Sequence, residues 1–368
     1  MTRQVLPLST RQVFIAETAL LCARGDLPAT VASALWNGEC SAGLRKIGER
    51  VFPYFSLPLD EADWMRRAER AVRKVAGQLV RLPAEMPLFI ASSSFQIGHF
   101  EQLGAPFELP VANAAFSRQI AEWLALTGPR YSFSNACTSG FSALDAARSL
   151  IAAGLIDDAI VLGVELANDS TLAGFAAMEL LSRTAGRPFD AQRDGLVLGE
   201  AVAAVRLSAE PARWRIAGLR TGLDGFSTTG PNPDGSRIAD VAVDCLKEAN
   251  LQAADIELIK LQAAGSPGTD LAEANALRSV FGQRMPPLLS LKPGLGHTLG
   301  ASGVAELAAL LACLDADKIP ATAGFAKVDP EIALFPMVDR STEHIERALL
   351  NLIGFGGGLA SLIVERQR

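Results

Sequence analysis

Histidine is scarce in this 368-residue chain: there are three, His99, His297 and His344. Any imidazole chemistry must run through one of them. The five cysteines, at positions 22, 40, 137, 245 and 313, form no C-x-x-C pair, and an odd number fits no closed disulfide framework. Free thiols in a reducing compartment are expected, and no metal. No apolar run reaches the ~18 residues of a membrane-spanning helix. The opening MTRQVLPLSTRQVF lacks the apolar stretch of a signal peptide. A cytoplasmic protein is the expectation. Charged residues are few, 20% against 49% hydrophobic, which excludes a disordered chain. The net charge of −6 and a pI near 5.3 leave no basic excess to neutralise phosphates, so neither nucleic acid nor membrane is expected as a partner.

What is present is alternation. Apolar, strand-like segments such as PLFIASSS, AIVLGVEL, AVAAVRL, RIAGLRTGL and LASLIVE alternate with alanine-rich helical ones such as FSRQIAEWLAL, SALDAARSLIAAG and GVAELAALLACLDA. A long helix is expected from Asp60 to about Leu82. The pattern predicts a layered α/β fold. The best internal boundary is LSAEPARWR, residues 207–215, which divides the chain into residues 1–210 and 211–368.

The two sides look like variations on one plan. FSNACTSGFSALDAARSLIAAG and LKPGLGHTLGASGVAELAALLACL each read as a strand, a tight turn with one chemically capable residue, and a helix opening on small residues. Those residues are Cys137 and His297. Duplication alone leaves two readings open: one site between the halves, or two glycine-rich helix starts in a core.

Cys137 stands where a helix begins. The unpaired N–H groups there favour a thiolate and can hold an oxyanion, so a lowered thiol pKa is expected. A thiol also suits thioester exchange, because donor and acceptor are then alike. The plainer reading is a buried small hydrophobe, which Cys22, Cys245 and Cys313 are expected to be.

The segment SNACTSG resembles the active-site segment of the β-ketoacyl-acyl-carrier-protein synthases, members of the thiolase superfamily. Four further stretches are similar to that family's motifs in order and spacing: RPFDAQRDGLVLGEAV at 187–202, AAGSPGTDLAEANAL at 263–277, KPGLGHTLGASG at 292–303 and IGFGGGLASLIV at 353–364. The agreement runs from about residue 110 to the end; the first hundred residues agree weakly. The resemblance implies the thiolase fold: two similar βαβαβαββ halves in a five-layer α-β-α-β-α arrangement, one carrying the nucleophile, the other the histidine and a gating loop.

It also implies roles. Cys137 matches the acyl-accepting nucleophile. His297 matches a histidine that stabilises the enolate oxygen when a malonyl unit loses CO₂. Lys292 matches a lysine that structures the site, Glu273 the acidic residue paired with it, and Asp270 a neighbouring aspartate. Phe355 matches a gating phenylalanine whose backbone N–H, with that of Cys137, forms the oxyanion hole. Plainer readings stand beside these: a structural ion pair for Lys292 and Glu273, core packing for Phe355.

One departure bears on the chemistry. Ala264 stands where the family carries its first catalytic histidine, and His99 and His344 lie in unrelated segments. Decarboxylation builds negative charge on a carbonyl oxygen, and losing one of two N–H donors there typically costs ~10²–10³ in rate. Acyl transfer onto Cys137 needs only the nucleophile and the oxyanion hole. Retained acylation with impaired condensation is the expectation, in fatty acid, polyketide or aryl-polyene-type biosynthesis. The alternatives are an accessory subunit like a chain-length factor, a non-elongating ketosynthase, or a thioester hydrolase. The segments SSSFQIG and Gly357–Ala360 also depart from the family, and both border its acyl pocket.

The resemblance implies no tightly bound cofactor, only the phosphopantetheine arm of an acyl carrier protein as substrate. It implies a homodimer, or a heterodimer with a related ketosynthase. MRRAERAVRK at 65–74 places Arg66, Arg67, Arg70 and Lys74 (or Arg73) in a basic stripe. Carrier-protein docking and an ordinary solvated helix face are both open readings of it.

Overall fold

Apolar alternation produces thirteen strands and ten helices in a computed structural model, which describes residues 11–367 except 105 and 107. In chain order the first half holds β1 (Phe14–Cys22), α1 (Pro28–Trp36), β2 (Gly43–Ile47), β3 (Arg50–Phe55), α2 (Trp64–Ala76), β4 (Leu88–Ala91), α3 (Ile97–Leu103) and α4 (Leu109–Trp123). It continues with β5 (Arg130–Phe133), α5 (Ser139–Ala152), β6 (Asp158–Glu165), α6 (Asp169–Ala177), β7 (Leu198–Gly199) and β8 (Ala201–Ser208). The second holds β9 (Trp214–Leu223), α7 (Ser236–Ala249), β10 (Leu258–Lys260), α8 (Pro267–Phe281) and β11 (Leu288–Leu289). It closes with α9 (Lys292–Leu295), α10 (Ser302–Asp315), β12 (Arg347–Ile353) and β13 (Gly358–Arg366).

Ten strands run in the order β11-β10-β12-β13-β9-β1-β8-β6-β4-β5. Each side of the middle repeats one pattern. In the first half β5, β4 and β6 pair parallel, and β8 and β1 add antiparallel. In the second β11, β10 and β12 pair parallel, and β13 and β9 add antiparallel. A short antiparallel junction, Phe14 with Arg215 and Ile15 with Trp214, joins them.

The parity of buried residues sorts these strands into layers, because neighbouring side chains on a strand face opposite ways. Leu20, Phe89 and Val161 face inward onto α5 and α10, whereas Leu21, Ile90 and Leu162 face outward onto α2 and α4. On the other side Leu350 and Leu362 face inward, and Leu349 and Ile363 face α7 and α8. The result is α2/α4, sheet, α5/α10, sheet, α7/α8: the expected five layers.

Two expectations change. The helix expected from Asp60 to Leu82 is α2 alone; it starts where Asp63 accepts the Arg66 N–H at 2.8 Å and caps it. The hairpin β2–β3, which with β7 forms a separate three-stranded sheet, was not foreseen. Strand β2 has no buried residue, so it carries no apolar alternation to read. Among the described residues no helix is long and apolar enough to cross a membrane.

Candidate active site

After β5 the chain turns at Ala136, in the left-handed region at φ 48°, makes one 3₁₀ turn over residues 136–138, and enters α5 at Ser139. The second half repeats this at Leu299, φ 47°, with a 3₁₀ turn over 299–301 and α10 from Ser302. The position equivalent to Cys137 is therefore Gly300; His297 lies three residues before it. Thiol and imidazole come from the same kind of turn at different depths, and this offset lets them meet across the central layer.

They do meet. Cys137 Sγ lies 3.0 Å from His297 Nε2, and His297 Nδ1 lies 3.0 Å from Ser302 Oγ. The Phe355 backbone N–H donates to the sulfur. Burial, reinforced by the charge of Lys292, pushes the His297 pKa down to about 3, so the ring is neutral at pH 7. Burial also pushes the Cys137 thiol up to about 11. This corrects the expected lowering: the Lys292 charge and the Phe355 N–H favour the thiolate less than full desolvation disfavours it. The resting pair is thiol and imidazole, both uncharged. Cys22, Cys245 and Cys313 are buried and pushed up as well. Contact with an imidazole and with two cavities sets Cys137 apart from them.

Lys292 is buried, but its carboxylate partner is not Glu273. Its Nζ lies 2.7 Å from Glu306 Oε1 and donates to Gln262 Oε1 at 3.2 Å. Lys260 Nζ donates to the other Glu306 oxygen at 2.6 Å and to the Asn351 carbonyl at 3.1 Å. Burial alone would raise the Glu306 pKa, but the two lysines overcome it and hold the carboxyl at about 2. Burial brings Lys260 down to about 8. Glu273 instead accepts the backbone N–H groups of Gln262 and Ala263, each at 2.8 Å. Asp270 accepts those of Ala264 at 3.2 Å, Gly265 at 3.1 Å and Phe189 at 3.0 Å, and burial raises it to about 7. Both carboxyls shape the loop that carries Ala264. The sequence does hold a signal for Glu306 and Lys260: each is a lone charge in an apolar segment, which demands a buried partner.

Ala264 is buried and lines, with Cys137, His297, Gln262 and Phe355, a cavity of about 20 Å³. A larger one of about 250 Å³ opens on the other side of Cys137, among Ser93, Ala136, Gly174, Met178 and Leu299. Phe355 borders both and stacks on Phe175, with ring centroids 5.3 Å apart and planes 12° from parallel. The unexpected serines of SSSFQIG have a partner: Ser93 and Ser94 donate N–H and O–H groups to the buried Glu165, which also accepts the Gly300 N–H at 2.9 Å. His99 lies in α3, and His344 pairs with Asp317 at 3.0 Å.

The basic stripe on α2 separates into unlike members. Arg67 turns inward and forms a two-pronged ion pair with the buried Glu200. It is not part of a docking face, because that carboxylate would otherwise be buried without a cation. Lys74 pairs with Asp26 at 2.5 Å and Arg73 with Glu69 at 2.7 Å. Arg66 and Arg70 are exposed.

Two duplicated sheet-and-helix halves around a central helix pair, with a thiol and an imidazole meeting at its head, form the thiolase fold of condensing enzymes. A chain of the solved complex between the ketosynthase ApeO and its chain length factor ApeC from Xenorhabdus doucetiae superposes with a TM-score of 0.83 over 97% of this chain and 98% of that one, at 24% identity. Family models for the N-terminal and C-terminal domains of β-ketoacyl synthases match residues 93–212 and 214–326. The chain is 34% identical over 240 residues to a 3-oxoacyl-[acyl-carrier-protein] synthase 2 of Mycobacterium tuberculosis, spanning 61% of this chain and 58% of that protein. It is 34% identical over 284 residues to the Rhizobium meliloti protein of the same name, spanning 71% and 67%. The chain belongs to the β-ketoacyl synthase family.

Proposed function

We propose that the chain is a ketosynthase-type acyltransferase that loads an acyl group from an acyl carrier protein onto Cys137 and condenses it slowly with a malonyl unit. The observation that carries this is the 3.0 Å contact between Cys137 Sγ and the neutral His297, with Ala264 in the same cavity. His297 Nε2 accepts the thiol proton as the sulfur attacks the carrier thioester. The tetrahedral oxyanion is met by the N–H groups of Phe355 and Cys137. The pantetheine thiolate then leaves and takes the proton back from His297. The reacting arm is the carrier's phosphopantetheine; no tightly bound cofactor is involved.

Condensation is the slower part. It breaks the bond between the malonyl carboxylate and the α-carbon, and the electron pair moves toward the thioester oxygen. His297 meets that oxygen once it has shifted to the tautomer protonated at Nε2, with the Ser302 hydroxyl then donating to Nδ1; Ala264 supplies nothing. A missing donor costs ~10²–10³ in rate. Arg66 and Arg70 are the members of the basic stripe left for an acidic carrier, and docking through them would weaken with salt. The expected assembly is a homodimer or a heterodimer with a related ketosynthase. An accessory role like that of ApeC, the chain length factor bound to ApeO, is the second reading, and the absent histidine favours it.

Intact-mass spectrometry after incubation with acyl carrier protein tests the proposal. An acyl adduct that disappears in Cys137→Ala is expected. No adduct on the wild-type chain, alone or with a co-purifying synthase, would leave only the accessory role.

A further inference from the structure

Gln262 is a buried amide with one end used and the other free. It is 4% exposed. Its Oε1 accepts from Lys292 Nζ at 3.2 Å. An ammonium group has donors only, so this contact settles which end of the amide is oxygen. The Nε2 end is turned away from Lys292, and among the described residues no hydrogen-bond partner takes its protons. Side chains alternate along the extended segment after β10. Leu261 and Ala263 pack into the outer core, whereas Gln262 and Ala264 both line the cavity with Cys137 and His297. The free amide N–H group therefore stands beside the position that lacks a histidine, and Lys292, held by Glu306, fixes its orientation.

We infer that Gln262 is a catalytic residue of the condensing half-reaction: its Nε2–H donates to the malonyl thioester oxygen in place of the absent imidazole. The inference rests on the proposed ketosynthase chemistry and sharpens it. The malonyl C–C bond breaks and CO₂ leaves. The electron pair is delocalised onto the thioester oxygen, held by His297 Nε2–H and Gln262 Nε2–H. The enolate carbon then attacks the acyl carbon on Cys137, and the C–S bond breaks. The Cys137 thiolate takes up a proton from water, which restores the thiol. A neutral amide is a weaker donor than a charged group, but it is pre-oriented and shielded from water, which is where such donors act most strongly.

Gln262→Glu and Gln262→Leu distinguish this role from a structural one. Gln262→Glu keeps the acceptor for Lys292 and removes the N–H group; Gln262→Leu removes both. Release of labelled CO₂ from malonyl carrier protein, and acyl adduct formation at Cys137 by mass, are measured on the purified chain or its natural complex, with thermal melts of each variant. Both variants are expected to lose CO₂ release by about 10²-fold in kcat with little change in KM, while acylation stays within a few-fold of wild type. Wild-type CO₂ release retained by Gln262→Glu would assign Gln262 only the job of partnering Lys292 and overturn the inference. So would a wild-type chain that acylates but releases no CO₂. Absence of acylation in the wild type would instead remove the acyltransferase reading beneath it.

Discussion

A thiol pushed up to about 11 beside an imidazole held near 3 is a nucleophile that is mostly protonated at pH 7. The sign of its pH response follows. Below the thiol pKa the thiolate fraction rises tenfold per pH unit, and His297 contributes no inflection near 6.5. Alkylation of Cys137 by iodoacetamide is expected to accelerate continuously from pH 6 to pH 10; a plateau between pH 6 and 8 would show a thiolate–imidazolium pair instead. Ala264→His tests the neighbouring vacancy. An imidazole there would add a donor to those of His297 and Gln262 and raise CO₂ release by up to ~10²-fold. The cavity beside Ala264 is about 20 Å³, so the ring must also push neighbours aside, at a cost of about 1–3 kcal/mol. A lower melting temperature together with faster decarboxylation is the expected pair of outcomes. Cys137, His297 and Ala264 were legible because each lies in a local motif. The partner of Lys292 was not: Glu306 lies on α10, fourteen residues on and outside the matched motifs, whereas the resemblance to the family pointed to Glu273. The lone charges Glu165, Glu200, Lys260 and Glu306 were visible in apolar surroundings, but which one meets which is a property of packing.

At the scale of one element, α2 shows how helical spacing can mislead. Arg66, Arg67, Arg70 and Lys74 read as one stripe, but the helix also needs an apolar face, formed by Ala68, Ala71, Val72 and Val75. Arg67 lies at its margin, where the Glu200 carboxylate is 1% exposed. That carboxylate also accepts the N–H groups of Leu57 and Ala167, each at 2.8 Å, so it ties β7–β8 to two loops. Arg67→Met leaves a buried anion without its cation and is expected to cost about 3–5 kcal/mol in denaturant unfolding. Arg66→Ala and Arg70→Ala, at exposed positions, should each change stability by less than about 0.5 kcal/mol. Equal losses for Arg67 and Arg70 would show that the ion pair contributes nothing. A layered α/β fold was readable from apolar strands alternating with alanine-rich helices; the number of layers came from the resemblance to the family. The β2–β3 hairpin was not readable, because β2 has no buried residue and so carries no period-2 pattern.

At the scale of the whole molecule, the duplication brings the halves together through their smallest residues. Gly140 on α5 and Gly303 on α10 occupy equivalent places, one residue into each central helix. A Cβ on Gly140 would lie 3.0 Å from both the Gly303 Cα and the Val304 N. Those are backbone atoms and cannot rotate away, so the helices themselves would have to shift by a few tenths of an ångström. Cys137 rides on the turn that opens α5, and His297 on the one that opens α10. A displacement at the Gly140–Gly303 contact is therefore delivered to the 3.0 Å gap between sulfur and Nε2. Gly140→Ala gains about 1 kcal/mol of helix propensity, against an overpacking cost of about 1–3 kcal/mol. Its net effect on stability is a loss of about 0–2 kcal/mol. Its effect on chemistry is larger, because a misplacement near 1 Å can cost ~10² in rate. A folded Gly140→Ala protein whose Cys137 acylates at least ten times more slowly than wild type is expected. An unchanged acylation rate would mean that the two halves can slide without disturbing the site they share.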